Sequence, residues 1–495
     1  MLAREVSAAP TSDQSPRLPP TALLGWAVER PTVTTTTDDS AHVFDALCEI
    51  LPAGRVVTGT ESLAWARDQS DGTTHGTPAV VVFPLTTDEV AAVVRYAAAT
   101  GTPVVPQGAR TGLAGGANAS DGCILLNTSR MSRILGVDAA NQTATVQAGV
   151  RTIALARAAS AEGLFYPPDP GSWRASTIGG NVATNAGGML SVKYGVTGSF
   201  VRQLTVVLAD GSVITTGQRT IKGVAGYDFT ALLIGSEGTL GIITEITVGL
   251  LPAAAAPSGV SASFSSIAAA LDAASAIVAS PRRPSVLEFL DASCVAAIAA
   301  YDPTSTLPAG TAAVLLVQSD AAGHADDDVR LYASLLAEAG ATGIEQASGT
   351  TELEEMMTAR RLLHPAVQAL RGASLNEDIT VPRSALPELL AGVDAIAREL
   401  TVPIAIGGHL GDCNLHPIIG FDPASEGETA AAWAAYARVI HLAIDLGGSA
   451  TGEHGVGLLK REHLDREFAP AVRDLQRRVK TAFDPAGILN PGKKL

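Results

Sequence analysis

The sequence predicts an α+β protein of two domains, the second built on a ferredoxin-like unit. Three observations carry that expectation. The chain has 495 residues, too many for one hydrophobic core. From Ala79 onward short apolar runs alternate with an amphipathic helix in a β-α-β pattern. Between Gly259 and Ala347 the order becomes β-α-β-β-α-β, the split unit of ferredoxin-like folds.

Taken in order, a helix over residues 41–50 opens the folded part, and a loop ends in Asp71-Gly72-Thr73-Thr74. Residues 79–83 read as a strand. Thr87 can cap a helix whose apolar face is Val90, Val93, Val94 and Ala97, with Gly101 as its stop. Strands follow over 103–106, 124–127 and 144–148, then a helix over 153–161. Residues 204–208 and 213–216 form a hairpin about Asp210-Gly211. The first domain closes near Leu250-Leu251-Pro252, before an Ala/Pro linker. In the middle region residues 259–264, 285–291, 311–319 and 343–347 read as strands, and 265–279 and 326–339 as helices. Such a unit buries one sheet face under two helices and leaves the other free to cover a site. A helix from Thr351, a loop over 376–382 and a long helix from Ser384 precede the last motifs. The expected domains are 38–252 and 253–470, with residues 471–495 returning to the first.

Composition narrows the functional class. Hydrophobic content is 46% but aromatic content only 4%, so the core must be built from Ala, Val, Leu and Ile. A net charge of -15 and a pI near 5.0 argue against nucleic acid as a partner, because that needs a basic face. Cys48, Cys123, Cys294 and Cys413 are far apart and form no CxxC pair, which favours a reducing compartment and excludes an iron–sulfur pattern. The N-terminal residues 1–37 are rich in Pro, Ser and Thr, carry Arg4, Arg17 and Arg30, and lack the apolar core of a secretory signal. A disordered extension is expected there. No apolar run reaches membrane-spanning length. The expected location is the cytoplasm, with a peripheral position at the inner face of a membrane left open.

Two sets of motifs carry chemistry. The first is glycine-rich: Pro106-Gln107-Gly108-Ala109-Arg110-Thr111-Gly112-Leu113-Ala114-Gly115-Gly116 after a strand, and Pro167–Ser172 followed by Ser176–Gly188. Such loops turn successive backbone N–H groups into one concavity suited to phosphate. Neither fits GxGxxG, so a nicotinamide site of the Rossmann type is not supported. The second set lies in the tail. Gly408-His409-Leu410-Gly411-Asp412-Cys413-Asn414-Leu415-His416-Pro417 and Gly452-Glu453-His454-Gly455 offer His409, His416 and Glu453 as three metal ligands. His454 stands beside the carboxylate as an acid or base. The two histidines are seven residues apart, but Gly411 and Pro417 argue for a loop or strand rather than a helix.

These segments, with Lys193-Tyr194-Gly195, Gly235-Ser236-Glu237-Gly238-Thr239-Leu240-Gly241-Ile242 and the closing Phe483-Asp484-Pro485-Ala486-Gly487-Ile488-Leu489-Asn490-Pro491-Gly492-Lys493, resemble the vanillyl-alcohol-oxidase type of FAD-binding protein. Within it the tail motifs resemble the D-2-hydroxyacid dehydrogenases: the glycolate oxidase flavin subunit, cytochrome-linked D-lactate dehydrogenase and D-2-hydroxyglutarate dehydrogenase. The resemblance implies a two-subdomain FAD-binding domain and a ferredoxin-like substrate, or cap, domain carrying the metal site. It implies non-covalent FAD, since neither glycine-rich segment holds a histidine for attachment. FAD contacts are expected from Pro106, Gly108, Ala109, Arg110, Thr111, Gly112 and Leu113; from Pro168, Asp169, Thr177, Ile178, Gly179, Gly180, Ala183, Asn185, Gly187 and Gly188; and from Glu237, Gly241, Ile242, Ile243 and Asn490.

The implied reaction is oxidation of a small 2-hydroxy acid, with a divalent metal, zinc before iron or manganese, gripping the substrate. His454 serves as general base and Arg360 as carboxylate anchor, beside Arg361 and His364-Pro365-Ala366. Electrons pass to an external acceptor: a quinone, a cytochrome, an electron-transfer protein or oxygen. A homodimer is allowed. Dicarboxylate-specific relatives carry a lysine before Asp-x-x-x-Pro; here the segment is Asn376-Glu377-Asp378-Ile379-Thr380-Val381-Pro382, so D-lactate or glycolate is expected over 2-hydroxyglutarate. Cys413 replaces a glycine usual in the family, which would strain a positive φ and put a thiol near the metal. Other readings are a flavin transferase of the alkylglycerone-phosphate synthase type, a metal hydrolase, and a subunit active only in a larger complex.

Overall fold

A computed structural model describes residues 37–305 and 307–495. The extension expected over residues 1–37 lies outside them except for Thr37, which begins the helix Thr37–Ile50. The first sheet contains β1 (Val56–Val57), β2 (Val80–Val82), β3 (Val104–Gln107) and β4 (Ile124–Asn127), in the order β1-β2-β4-β3. β2 and β3 run parallel to β4, and the helix between them, Thr87–Thr100, closes the β-α-β unit. Its cap is Thr86, not the expected Thr87. Thr86 is extended (φ -136°) and its side chain accepts from Glu89 N, whereas Thr87 is already helical. Gly101 ends the helix in the left-handed conformation, as the sequence indicates.

The second sheet is antiparallel and follows in the chain with β5 (Ile134–Asp138), β6 (Thr143–Gln147), β7 (Leu164–Phe165), β8 (Val201–Val207), β9 (Val213–Gly217), β10 (Ile242–Gly249) and β11 (Leu251–Pro252). Five of them pair as β5-β6-β10-β8-β9, while β7 and β11 form a separate ladder. The predicted hairpin about Asp210-Gly211 is the β8–β9 pair. β5 and the central β10 were not expected. Ile242 and Ile243 were expected as cofactor contacts rather than as the start of a strand, although Ile-Ile-Thr-Glu-Ile-Thr-Val is rich in β-branched residues. The helix Ile178–Thr184 packs Ile178 and Val182 into the core beneath this sheet.

The third sheet holds β12 (Ser258–Phe264), β13 (Val286–Asp291), β14 (Ala313–Ser319), β15 (Gly343–Ser348), β16 (Ala373–Asn376), β17 (Ile379–Thr380), β18 (Ile404–His409) and β19 (Asn414–Phe421). Its order, β15-β12-β14-β13-β18-β19-β16, begins with the ferredoxin-like arrangement and continues past it; β17 pairs with β19. Residues 376–382, expected as a loop, therefore supply the end of β16 and all of β17. The long helix begins at Leu386 rather than Ser384, after a short 3-10 turn.

The helices Ile267–Ala279, Ala325–Glu338, Leu386–Leu400 and Glu426–Asp445 bury one face of this sheet around Phe264, Phe289 and Tyr332. The opposite face is not free, as had been expected. The unpredicted helix Ala292–Tyr301 and the helix Leu363–Arg371 pack there with Val286, Leu290, Ala405 and Ile418. Strand alternation puts Glu288, His409 and His416 on that same face, because they share parity with Leu290, Ala405 and Ile418. Connections to the glycine-rich half arise after β14 and again at the C-terminal tail. Asp320 after β14 pairs with Lys193 and accepts from Tyr194 Oη at 2.6 Å. The tail returns beside β3, where Asn490 N donates to Val104 O at 2.8 Å.

Candidate active site

A cavity of about 530 Å³ reaches from the two glycine-rich segments to the histidines of the cap sheet. Residues 106–113 line it without a gap, since β3 ends at Gln107 and delivers the chain into the loop. Among the described residues, no protein acceptor pairs with the backbone N–H groups of residues 109–116. The second segment closes on the first at Gly108, where an added Cβ would lie 2.3 Å from Thr177 Oγ1. Unpaired N–H groups in a glycine cradle fit the pyrophosphate of a dinucleotide. Asp169, Thr177, Gly179, Gly180, Ala183, Glu237, Gly241, Ile242 and Ile243 also line the wall.

Other predicted contacts do not. Pro168 and Ile178 are buried behind the wall, the latter in the apolar core. Asn185 ends the helix Ile178–Thr184 in the left-handed conformation, and its side chain accepts from Gly198 N. Gly188 packs against Asp169, and Gly187 lies under Glu453, whose Oε2 would be 2.7 Å from an added Cβ. Asn490 donates to Gly116 O at 3.0 Å and Glu237 O at 2.7 Å, so its amide ties two loops together instead of facing the cavity. Arg110 lines the wall but spends its guanidinium on Ala64 O and on the face of Trp65.

At the far end β18 and β19 form a hairpin that places His409 and His416 on one sheet face. Their rings meet edge-on at 5.2 Å. Glu453 Oε1 lies 3.3 Å from His409 Nε2 and 3.5 Å from His416 Nε2. A divalent ion with ligands at about 2.1 Å in tetrahedral geometry needs donors roughly 3.4 Å apart, so this donor set fits one. Both imidazoles are oriented through the other nitrogen. His409 Nδ1 meets Glu288 Oε1 at 2.7 Å, and His416 Nδ1 meets Glu377 O at 3.3 Å. Burial would discharge His409, but the Glu288 carboxylate holds its pKa well above the ordinary value. Burial, with the charges of His454 and His409, pushes His416 down to about 3, leaving a neutral imidazole. Burial opposes ionisation of Glu453, yet the hydrogen bond and charge of His409 keep it at about 2. His454 stacks on His416 with ring centroids 5.1 Å apart and lines the cavity.

Sequence reasoning missed two acids. Glu288 is fully buried and bridges His409 to Arg360, whose Nε donates to Oε2 at 2.6 Å. Asp378 is fully buried beneath the turn bearing Glu453 and His454. The cross-strand pair Glu288↔His409 spans 121 residues of chain, so no local spacing reveals it. Arg360 and Arg361 both line the wall; Arg361 pairs with Glu354. Cys413 has φ 65°, the strained geometry foreseen, but its thiol packs in the apolar core on the other sheet face and joins no ligand cluster.

Comparison with known proteins agrees with this architecture. A family of FAD-binding domains matches residues 78–217, and the C-terminal domain of FAD linked oxidases matches residues 255–494. Glycolate oxidase subunit GlcD of Bacillus subtilis is 39% identical over 84% of this chain and 88% of its own length. D-lactate dehydrogenase of Anaerostipes hadrus is 35% identical over 91% of this chain and 97% of its own. The solved structure of 4-ethylphenol oxidase from Gulosibacter chungangensis shares the fold, with a TM-score of 0.75 at 17% identity over 93% of this chain and 98% of that one. Among the described residues no helix is long and apolar enough to cross a membrane.

Proposed function

The chain belongs to the FAD-linked oxidases, and from that premise we propose that it oxidises a short D-2-hydroxy monocarboxylic acid, of the D-lactate and glycolate type, to the 2-oxo acid. It is a redox enzyme that uses FAD. One observation supports the hydroxy-acid reading most directly: a single cavity joins the glycine-rich segments to His409, His416, Glu453 and His454. FAD held by the glycine-rich segments would supply the two-electron acceptor, and a divalent metal held by His409, His416 and Glu453, zinc before iron or manganese, would supply positive charge for the substrate's oxygens.

The chain's own residues do the rest. His409 and His416 present Nε2 because Glu288 and the Glu377 carbonyl hold Nδ1, and Glu453 adds an oxygen. His454 takes the α-hydroxyl proton as general base, from a ring fixed by stacking on His416. Arg360, kept at the wall by Glu288, binds the substrate carboxylate through its remaining N–H groups. The segment from Asn376 to Pro382 offers no lysine to a second carboxylate, which supports a monocarboxylic acid. A second reading, a subunit that works within a larger oxidase, has its support in the Bacillus subtilis relative, itself named a subunit.

Three substitutions check these roles. Glu288→Gln removes the charge that orients His409; zinc affinity is expected to fall about 10–100-fold in competition with a chelating dye. Gly187→Ala drives a methyl against Glu453 Oε2, so zinc affinity falls while the flavin content of the purified protein stays near one. Arg360→Ala removes charged hydrogen bonds of about 1.5–3 kcal/mol, which predicts a KM for the acid roughly 10–100-fold higher. The reaction itself is tested by anaerobic absorbance against D-lactate, L-lactate, glycolate and D-2-hydroxyglutarate. Bleaching of the flavin band by a D-acid or glycolate is the expected result. A band that none of them bleaches sinks the assignment. Bleaching without turnover on an artificial acceptor supports the subunit reading.

A further inference from the structure

Residues 451–457 carry Glu453 and His454, yet they belong to no helix or strand. A segment without a ladder of its own must be held by side chains. We infer that Asp378 and Glu237 are positioning residues that grip this strap from opposite sides, fixing Glu453 and His454 against the metal and flavin ends of the cavity. The inference rests on the functional reading above and names what keeps that site assembled.

Asp378, fully buried between β16 and β17, sends one oxygen to four donors. Its Oδ2 accepts from Thr451 Oγ1 at 2.7 Å and from the consecutive backbone groups Gly452 N, Glu453 N and His454 N at 2.8–2.9 Å. Its Oδ1 accepts from Asn414 Nδ2 at 2.7 Å. Asp378, His416 and His454 could on distance alone hold an ion, but both Asp378 oxygens already accept hydrogen bonds, Oδ2 from the strap and Oδ1 from Asn414. The backbone around Asp378 is itself pinned. Buried Lys460 donates to Asp378 O at 3.1 Å and Ala450 O at 2.7 Å, and pairs with Glu377 at 3.2 Å.

Glu237 grips the other end from the cofactor half. Its carboxylate accepts from Val456 N at 2.9 Å and Gly457 N at 2.7 Å. The residue is buried with φ 54°, an unfavourable backbone for glutamate, and Asn490 holds its carbonyl there. Gly457 brings the strap onto the first glycine-rich segment, where an added Cβ would be 2.1 Å from Ala114 O. Hence Glu237, expected as a cofactor contact, spends its carboxylate on the strap. Asp378 holds the segment from Thr451 to His454 and Glu237 holds it at Val456 and Gly457, with Gly455 between the two grips.

The test uses FAD-loaded protein, with zinc affinity read by chelator competition and flavin reduction by D-lactate followed anaerobically. In Asp378→Asn an amide cannot accept from all five donors. Zinc affinity is expected to fall at least tenfold, and the limiting reduction rate at least 100-fold, with the half-saturating acid concentration within threefold of wild type and the flavin spectrum unchanged. Glu237→Gln is expected to lower the rate at least tenfold. Should Asp378→Asn fail to fold, Thr451→Val removes a single donor and is expected to slow reduction at least threefold. A generally loosened fold would instead lower thermal stability and leave the ratio of rate to half-saturation unmoved. Wild-type zinc affinity and rate in Asp378→Asn, or in Thr451→Val in its place, overturn the inference for Asp378; a wild-type rate in Glu237→Gln overturns it for Glu237. If wild-type protein itself neither binds zinc nor is reduced, the functional reading fails and takes the strap's role with it.

Discussion

His416→Ala is expected to leave FAD in place and abolish its reduction by hydroxy acids. The imidazole is buried, neutral, and fixed by the Glu377 carbonyl so that Nε2 faces Glu453. Removing it leaves one histidine and one carboxylate, too few for tight binding of a divalent ion in competition with water. The positive charge lost is worth several kcal/mol in this kind of chemistry, which at about 1.4 kcal/mol per decade predicts roughly a 10³-fold slower reduction. The substitution also strips His454, the proposed base, of its stacking partner. A thermal melt separates this from unfolding: an unpaired Glu377 carbonyl and a small cavity cost about 1–3 kcal/mol, a modest shift for a chain of this size. Metal analysis of the purified variant should show zinc well below one equivalent.

Gly108→Val is expected to yield a colourless protein. The new Cβ would fall 2.3 Å from Thr177 Oγ1, and Thr177 has little room to give way. It is buried and caps the helix Ile178–Thr184 by accepting from Gly180 N, so displacing it also disturbs the second glycine-rich segment. Both walls of the phosphate cradle move, and FAD affinity should drop by at least about 100-fold, near 2.7 kcal/mol. Gly136→Val is the matching control, because nothing lies within 4 Å of the added Cβ. Fluorescence titration of the stripped proteins with FAD reads both.

How far the sequence reveals this molecule depends on whether a signal is local. The ferredoxin-like order was legible because β13 and β14 are largely apolar, β12 alternates about Val260, Ala262 and Phe264, and two helical stretches separate the strands. The helix Ala292–Tyr301 was not, since Ala-Ser-Cys-Val-Ala-Ala-Ile-Ala-Ala offers little contrast between faces. The donors His409, His416 and Glu453 were legible as residue types, and the β18–β19 hairpin explains why a seven-residue spacing still puts both rings on one face. Glu288 and Asp378 were invisible as partners because strand pairing and a distant turn bring them in. Glycine-rich runs misled in a different way. Gly108 and Gly187 both sit in glycine-rich runs, but one faces Thr177 across the cradle and the other lies beneath the Glu453 carboxylate.

The proposed coupling of a metal-held hydroxy acid to FAD within one cavity can be tested on the protein itself. The most direct measurement strips metal from the FAD-loaded protein with a chelator, adds D-lactate or glycolate without oxygen, and then returns one equivalent of zinc, iron or manganese while the flavin band is recorded. The expected result is a stable oxidised band before the metal and rapid bleaching after it. Equal bleaching with and without metal, in protein shown to be metal-free, would contradict it.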